Sequence, residues 1–137
     1  MITFNYETDF KIDNPDFLST WITNTIHEEN HKLGEINYIF CDDAYLLKIN
    51  QDYLNHNTFT DIISFDYTIG KQINGDIYIS IERVKENATQ FNTSFQNELN
   101  RVMIHGVLHY CGYKDKTEAD KKIMRSKEDY YLSLQNK

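Results

Sequence analysis

A chain of 137 residues, 40% hydrophobic and 14% aromatic with a single proline, has the length and composition of one domain with its own core, and excludes a disordered or low-complexity protein. The net charge of -7 argues against a protein that coats nucleic acid over its whole surface. No window approaches the roughly 18 continuous apolar residues that a membrane helix needs, the opening MITFNYETDF lacks the basic start and apolar core of a signal peptide, and Cys41 and Cys111 suit free thiols, so a cytoplasmic protein with no membrane partner is expected.

In chain order, Ile2, Phe4 and Tyr6 alternate as a first strand, and Asn14 as N-cap with Pro15 at the first helical position opens a helix with apolar face Phe17, Leu18, Trp21, Ile22 and Ile26. His27 and His31 close that helix among Glu28, Glu29 and Lys32 and read as surface residues near a helix C-terminus. Gly34 leads into a second strand over Glu35 to Cys41, and Asp42 or Asp43 caps a helix to about Leu54. The loop Asn55 to Thr58 follows, with His56 either a phosphate donor or an exposed turn residue. Ile62 to Tyr67 and Asp76 to Ile81 are the last two strands, joined through Thr68 to Gly75. A helix over Glu82 to Gln90 precedes one that starts at a Thr93/Gln96 capping box and stops at Gly112. Thr117 caps the final helix, which carries Ile123, Met124, Tyr130, Tyr131 and Leu134. The expectation is one α+β domain over residues 1–137: a mixed four-stranded sheet packed with about five helices.

The informative stretch is His105-Gly106-Val107-Leu108-His109. A helix turns about 100° per residue, so a spacing of four sets both imidazoles on one face, one turn apart, where they can share a metal ion. Such pairs also occur as surface or core residues. The context favours ligands, because Gly106 costs about 0.5 to 1 kcal/mol of helix stability relative to alanine, a cost best explained by a group that must approach closely there. Gly112 reverses the chain and allows Asp115 to reach the same ion as a third ligand, placing a metal site at the end of a central helix. A zincin-type protease would carry its glutamate base at position 106, and this chain has glycine there. Cys111, about 200° around the helix from His109, belongs on the core side rather than among the ligands.

Charge is unevenly spread. Residues 1–50 hold three Lys/Arg against nine Asp/Glu, whereas Tyr113 to Lys127 hold six (Lys114, Lys116, Lys121, Lys122, Arg125, Lys127) against three. This basic segment is either a solvated helix face or a local rim that engages a phosphate backbone beside the metal motif. Arg101 and Glu98 lie on the histidine side of the helix, where they either reach the cleft or pair with one another at spacing three.

The run from His105 to Asp115, HGVLHYCGYKD, resembles the H-G-x-L-H-x-x-G-Y-x-H signature of the YbeY family of bacterial rRNA maturation factors. Thr60-Asp61-Ile62-Ile63-Ser64-Phe65 followed by Gly75-Asp76-Ile77 is similar to that family's T-D/N-V-L-S-F and G-D-I blocks, and the likeness extends from about Asn50 to Glu128. Two positions depart from the pattern: Asp115 stands where a third histidine is usual, and Leu54 where many members have arginine. Carboxylate oxygen binds zinc at nearly the same distance as imidazole nitrogen, but its added negative charge makes harder ions such as manganese better tolerated. The loss of an arginine removes a paired-donor phosphate clamp.

The resemblance implies the same α+β fold, with Ser64 on the cleft floor, and a zinc-dependent endoribonuclease. Such an enzyme would hold one Zn²⁺ per chain through His105, His109 and Asp115, with Mn²⁺ or another divalent ion possible. It would act on single strands in 16S rRNA 3′-end maturation and ribosome quality control, with rRNA and the small ribosomal subunit as partners. The residues name no general base. The alternative is a metal-containing assembly factor that docks on rRNA or the subunit with little catalysis of its own.

Overall fold

The structure is a computed structural model that describes residues 1–54 and 60–136. Its elements are β1 (Ile2–Tyr6), α1 (Pro15–Glu28), β2 (Lys32–Cys41), α2 (Asp43–Leu54), β3 (Ile62–Asp66), β4 (Gln72–Ser80), α3 (Ile81–Gln90), α4 (Phe95–Tyr110) and α5 (Glu118–Ser133), closed by a short 3₁₀ turn at Leu134–Asn136. The four strands form one mixed sheet in the order β1-β2-β4-β3. β1, β2 and β4 run parallel, and β3 joins the edge antiparallel to β4. This is the α+β architecture expected. His56 and the whole of its loop, Asn55 to Thr58, lie outside the described residues.

Strand alternation divides the sheet into two faces. Ile36, Tyr38 and Phe40 of β2 and Ile73, Ile77 and Ile79 of β4 are fully buried on the inner face, where they meet Leu18, Ile22 and Ile26 of α1 and Leu99, Met103, Ile104, Val107 and Leu108 of α4. The Tyr38 hydroxyl donates to the Met103 carbonyl at 2.9 Å, tying α4 to the middle of the sheet. The other face carries a smaller cluster, in which Leu46 of α2 packs on Cys41 and Ile63. The Trp21 indole donates to the Tyr131 carbonyl at 2.8 Å, which fastens α1 to α5.

Several boundaries and faces differ from the sequence expectation. β2 begins at Lys32 and β4 at Gln72, because their pairing continues across an irregularity between Leu33 and Ile36. Gly34 sits at that break: a Cβ there would lie 2.2 Å from the Asn74 Oδ1, the atom that accepts from the Glu35 amide. α4 is capped by Ser94, whose side chain accepts from the Asn97 amide at 3.0 Å, whereas Thr93 accepts from the Asn97 side chain. Asn14 precedes α1 without a side-chain cap bond. Phe17, Ile123 and Tyr130 are exposed. Each stands at the rim of its helix's apolar stripe, where periodicity alone does not separate edge from centre. Thr117 does cap α5, in a reciprocal capping box with Asp120.

The glycines in the recognisable blocks are close-packed. A Cβ on Gly106 would stand 3.0 Å from Ile77 Cδ1 and 3.2 Å from Ile62 Cδ1, so the sheet is the group that approaches the helix. A Cβ on Gly75 would overlap the Tyr110 ring and hydroxyl, with its oxygen 2.3 Å away. That hydroxyl donates to the Phe65 carbonyl at 2.9 Å or the Asp76 carbonyl at 3.2 Å, pinning the end of α4 to β3 and β4. Gly75→Ala should therefore displace Tyr110 and destabilise the fold by about 1 to 3 kcal/mol, the usual cost of overpacking. The expected result is a lower urea midpoint with an unchanged slope, and a smaller loss for Gly106→Ala, which meets only the ends of two isoleucines.

Candidate metal centre and cleft

From Glu98 to Tyr110, every residue of α4 is buried except Arg101, His105 and His109. These three recur at intervals of four, so they form one stripe along an otherwise enclosed helix. The helix then stops in a Schellman motif: the Gly112 amide donates to the His109 carbonyl at 3.0 Å and the Tyr113 amide to the Leu108 carbonyl at 3.1 Å. Gly112 has φ +107°, the left-handed region that favours glycine. The reversal returns Asp115 to the stripe.

Three donor atoms converge there. Nε2 of His105 and Nε2 of His109 are 3.0 Å apart, and Oδ2 of Asp115 lies 3.2 Å from the first and 3.4 Å from the second. Ligands bound at 2.0–2.1 Å in a tetrahedron are separated by about 3.3 Å, so this triangle has the size of one tetrahedral face around zinc. The donor set fits a divalent ion. It is the only such group among the described residues.

Each imidazole is oriented from behind. Nδ1 of His109 is 2.9 Å from the Tyr113 carbonyl, and Nδ1 of His105 is 2.6 Å from Oε2 of Glu128 on α5. An acceptor at Nδ1 fixes the proton there and leaves Nε2 with a lone pair for metal. Burial alone would lower the His105 pKa, but the Glu128 hydrogen bond and the charges of Glu128, Asp115 and Asp61 outweigh it and raise the value overall. Glu128 was not singled out in the sequence, although a signal exists: it is four residues after Met124 and three before Tyr131, on the face of α5 that packs inward.

Arg101 does not pair with Glu98. It donates to Glu128 at 2.9 Å and to Asp129 at 2.7 Å, so its guanidinium is engaged on the α5 side of the stripe. Glu98 is only 5% exposed, and its carboxylate receives no hydrogen bond from a described residue. Burial, with the charge of nearby Asp61, pushes its pKa up. Burial also raises Asp61, partly offset by His105. Glu98 and Asp61, together with Ser64, Phe91 and Arg125, line a cavity of about 450 Å³ that includes the three convergent donors. Ser64 thus lies where expected. A second groove of about 400 Å³ shares His105, Asp115 and Arg125 and adds Lys121 and Lys122.

The remaining sequence candidates lie elsewhere. His27 is exposed, and His31 turns its Nδ1 to the Glu29 carbonyl at 2.6 Å, away from the cleft. Cys111 packs against the core, where burial pushes its thiol up to about 12 and leaves it a poor ligand. Leu54 ends α2 and is 42% exposed.

Residues 3–136 match the family model described as Endoribonuclease YbeY. The chain belongs to the YbeY family. Among its curated relatives, the Endoribonuclease YbeY of Flavobacterium psychrophilum is 64% identical, covering 98% of this chain and 96% of its own. That of Christiangramia forsetii is 54% identical over 97% and 93%. The fold likewise resembles the solution structure of a Thermotoga maritima protein, with a TM-score of 0.71 and 26% identity over 98% of this chain and 89% of that one.

Two outcomes are expected from this geometry. Glu128→Gln should weaken metal affinity by about 10- to 100-fold while the protein stays folded, as measured by competition with a chromogenic chelator. Glu98 has a folded-state pKa above its unfolded one, so its ionisation costs stability progressively as pH rises from near 4.5 through the raised value. Glu98→Gln should remove that decline and leave the protein more stable at neutral pH, as read from urea denaturation across pH 4 to 8.

Proposed function

We propose that this chain is a metal-dependent, single-strand-specific endoribonuclease in which His105, His109 and Asp115 hold one zinc ion, and that it acts in 16S rRNA 3′-end maturation and ribosome quality control in the cytoplasm. The observation that carries the reading is the convergence of three donors on one side of a cavity large enough for part of a nucleic-acid strand. The relatives named Endoribonuclease YbeY support the reaction class. A structural zinc is normally closed by four protein ligands, whereas three leave a position open for chemistry. Manganese or another divalent ion would also suit a site in which a carboxylate replaces an imidazole.

When bound, the ion would supply an activated water at neutral pH and positive charge for the phosphoryl oxygens. The chain's own residues do the rest. Glu128 and the Tyr113 carbonyl hold the two imidazoles in the tautomer that presents Nε2. Arg101 holds Glu128 in place by bonding its other oxygen. With leucine at position 54, phosphate-binding charge comes from Arg125, Lys121 and Lys122 along the second groove. Among the described residues, Lys121 is the one of these three with an ion pair, to exposed Glu118 at 3.8 Å.

Metal content and RNA cleavage, measured together on wild type and His109→Ala, test the proposal. One equivalent of zinc or manganese should restore cleavage of single-stranded RNA to metal-stripped wild type and not to the variant. Metal binding without cleavage would leave a ribosome assembly factor in place of an enzyme. Asp115→His should keep metal binding and shift preference from manganese towards zinc, and loss of metal would remove Asp115 from the ligand set. Replacing Lys121, Lys122 and Arg125 with glutamine should weaken RNA binding and lower the slope of log affinity against log salt by about 2, at roughly 0.7 per phosphate contact on a single strand. An unchanged slope would return α5 to a solvated face.

A further inference from the structure

The two depressions beside the ligand triad differ in chemistry. The groove with Lys121, Lys122 and Arg125 also borders Asp115 and Glu128, but its three cations outnumber them and suit phosphates. The deeper cavity has three carboxylates in its wall, Asp61, Glu98 and Glu128, beside the Asp115 ligand. Such a wall repels a phosphate. A second cation fits no better, because Arg101 and Arg125 share the space, both oxygens of Glu128 are engaged by Arg101 and His105, and the two remaining carboxylates, Asp61 and Glu98, are too few to enclose an ion.

Glu98 is the telling residue. It is 95% buried, by its 5% exposure, it lines the cavity, and no described residue donates to its carboxylate. Asp61, by contrast, accepts from Asn87 at 3.4 Å. The Glu98 oxygens are not sealed from solvent, so a carboxylate in the cavity wall with no described donor is free to accept from a ligand that supplies N–H groups. At the mouth of the same cavity stands Phe91, 60% exposed, at the end of α3. An exposed ring beside an acceptor is the pairing by which proteins hold unstacked bases, stacking on the face and hydrogen-bonding the edge.

Resting on the RNA reading, we propose that this cavity is a nucleobase pocket in which Glu98 accepts the N–H edge of an unstacked guanine while Phe91 supports the ring. Guanine alone presents two adjacent donors, N1–H and an N2 amino hydrogen, which match the two oxygens of one carboxylate. Adenine and cytosine set an acceptor beside their amino group. Uracil offers a single N–H between two carbonyls. The pocket therefore places a guanosine next to the scissile bond and lays the neighbouring phosphates across Arg125 into the basic groove.

Binding of guanosine, adenosine, cytidine and uridine to the zinc-loaded full chain, followed by NMR titration, tests this directly. Guanosine should bind about tenfold more tightly than uridine. Glu98→Gln should erase that difference, and Phe91→Ala, a change at an exposed position, should weaken guanosine several-fold without unfolding the protein. Equal binding of the four nucleosides, or a guanosine preference that survives both substitutions, overturns the proposal. Cleavage of oligonucleotides carrying one guanosine in a uridine host separates the two readings. Glu98-dependent guanosine binding without cleavage of any RNA sinks the nuclease reading and leaves the pocket standing. Cleavage with no base preference, unaltered by Glu98→Gln, sinks the pocket and leaves the nuclease.

Discussion

The enclosure of α4 is the constraint on which the rest depends. A helix buried on nearly all sides can expose only what its neighbours leave uncovered, and from Glu98 onward that is the stripe Arg101, His105, His109. The sheet presses from below through Ile77 and Ile62 at Gly106, Tyr38 holds the Met103 carbonyl, and α5 closes the flank through Met124, Tyr131 and Leu132. Imidazoles held this way have little rotamer freedom left to lose when they bind an ion, which is how a scaffold preorganises a metal centre. Residues with no metal-binding role are therefore part of the site's design.

Polar groups near the centre are arranged in layers. The donor triangle faces the cavity; behind it lie the Glu128 carboxylate and the Tyr113 carbonyl; behind Glu128 lies Arg101, itself held by Asp129. The outer layer limits the cost of burying the inner one. Glu128 is 4% exposed, and without Arg101 its charge would face only an imidazole. Tyr113 is held in turn by its hydroxyl, which donates to Glu29 at 2.6 Å at the end of α1. The orientation of His109 thus rests on the packing of α1 as well as on its own turn.

Much of the fold was legible, for reasons that particular residues make plain. Local chemistry carried the helix ends: Pro15, Gly112 and the Thr117 box each act within a turn. The His105/His109 spacing and the Asp115 reversal were readable because all three donors lie in one short stretch. What escaped depends on contacts distant in sequence. β2 and β4 outran their expected starts because Lys32–Leu33 pair with Gln72–Ile73, and no local pattern announces a partner forty residues away. Arg101 was read either as a cleft residue or as a partner of Glu98, three residues off on its own helix; it does line the cavity, but its partners are on α5, 27 and 28 residues on. Glu128 shows the same difficulty: its inward position follows from helical period, but its acceptor role depends on a histidine of another element.

The compactness of the donor set has one more consequence. Its members span residues 105 to 115, so the loop closed by an ion is short and the entropy of closing it small. The supporting carboxylate at Glu128 belongs to α5, across an interface. Holding an ion tightly and docking the last helix are thus linked equilibria, and whatever favours one favours the other by the same free energy. A metal held by these residues would act as a fastener for the C-terminal quarter of the chain, and its removal would loosen the protein as well as empty the site.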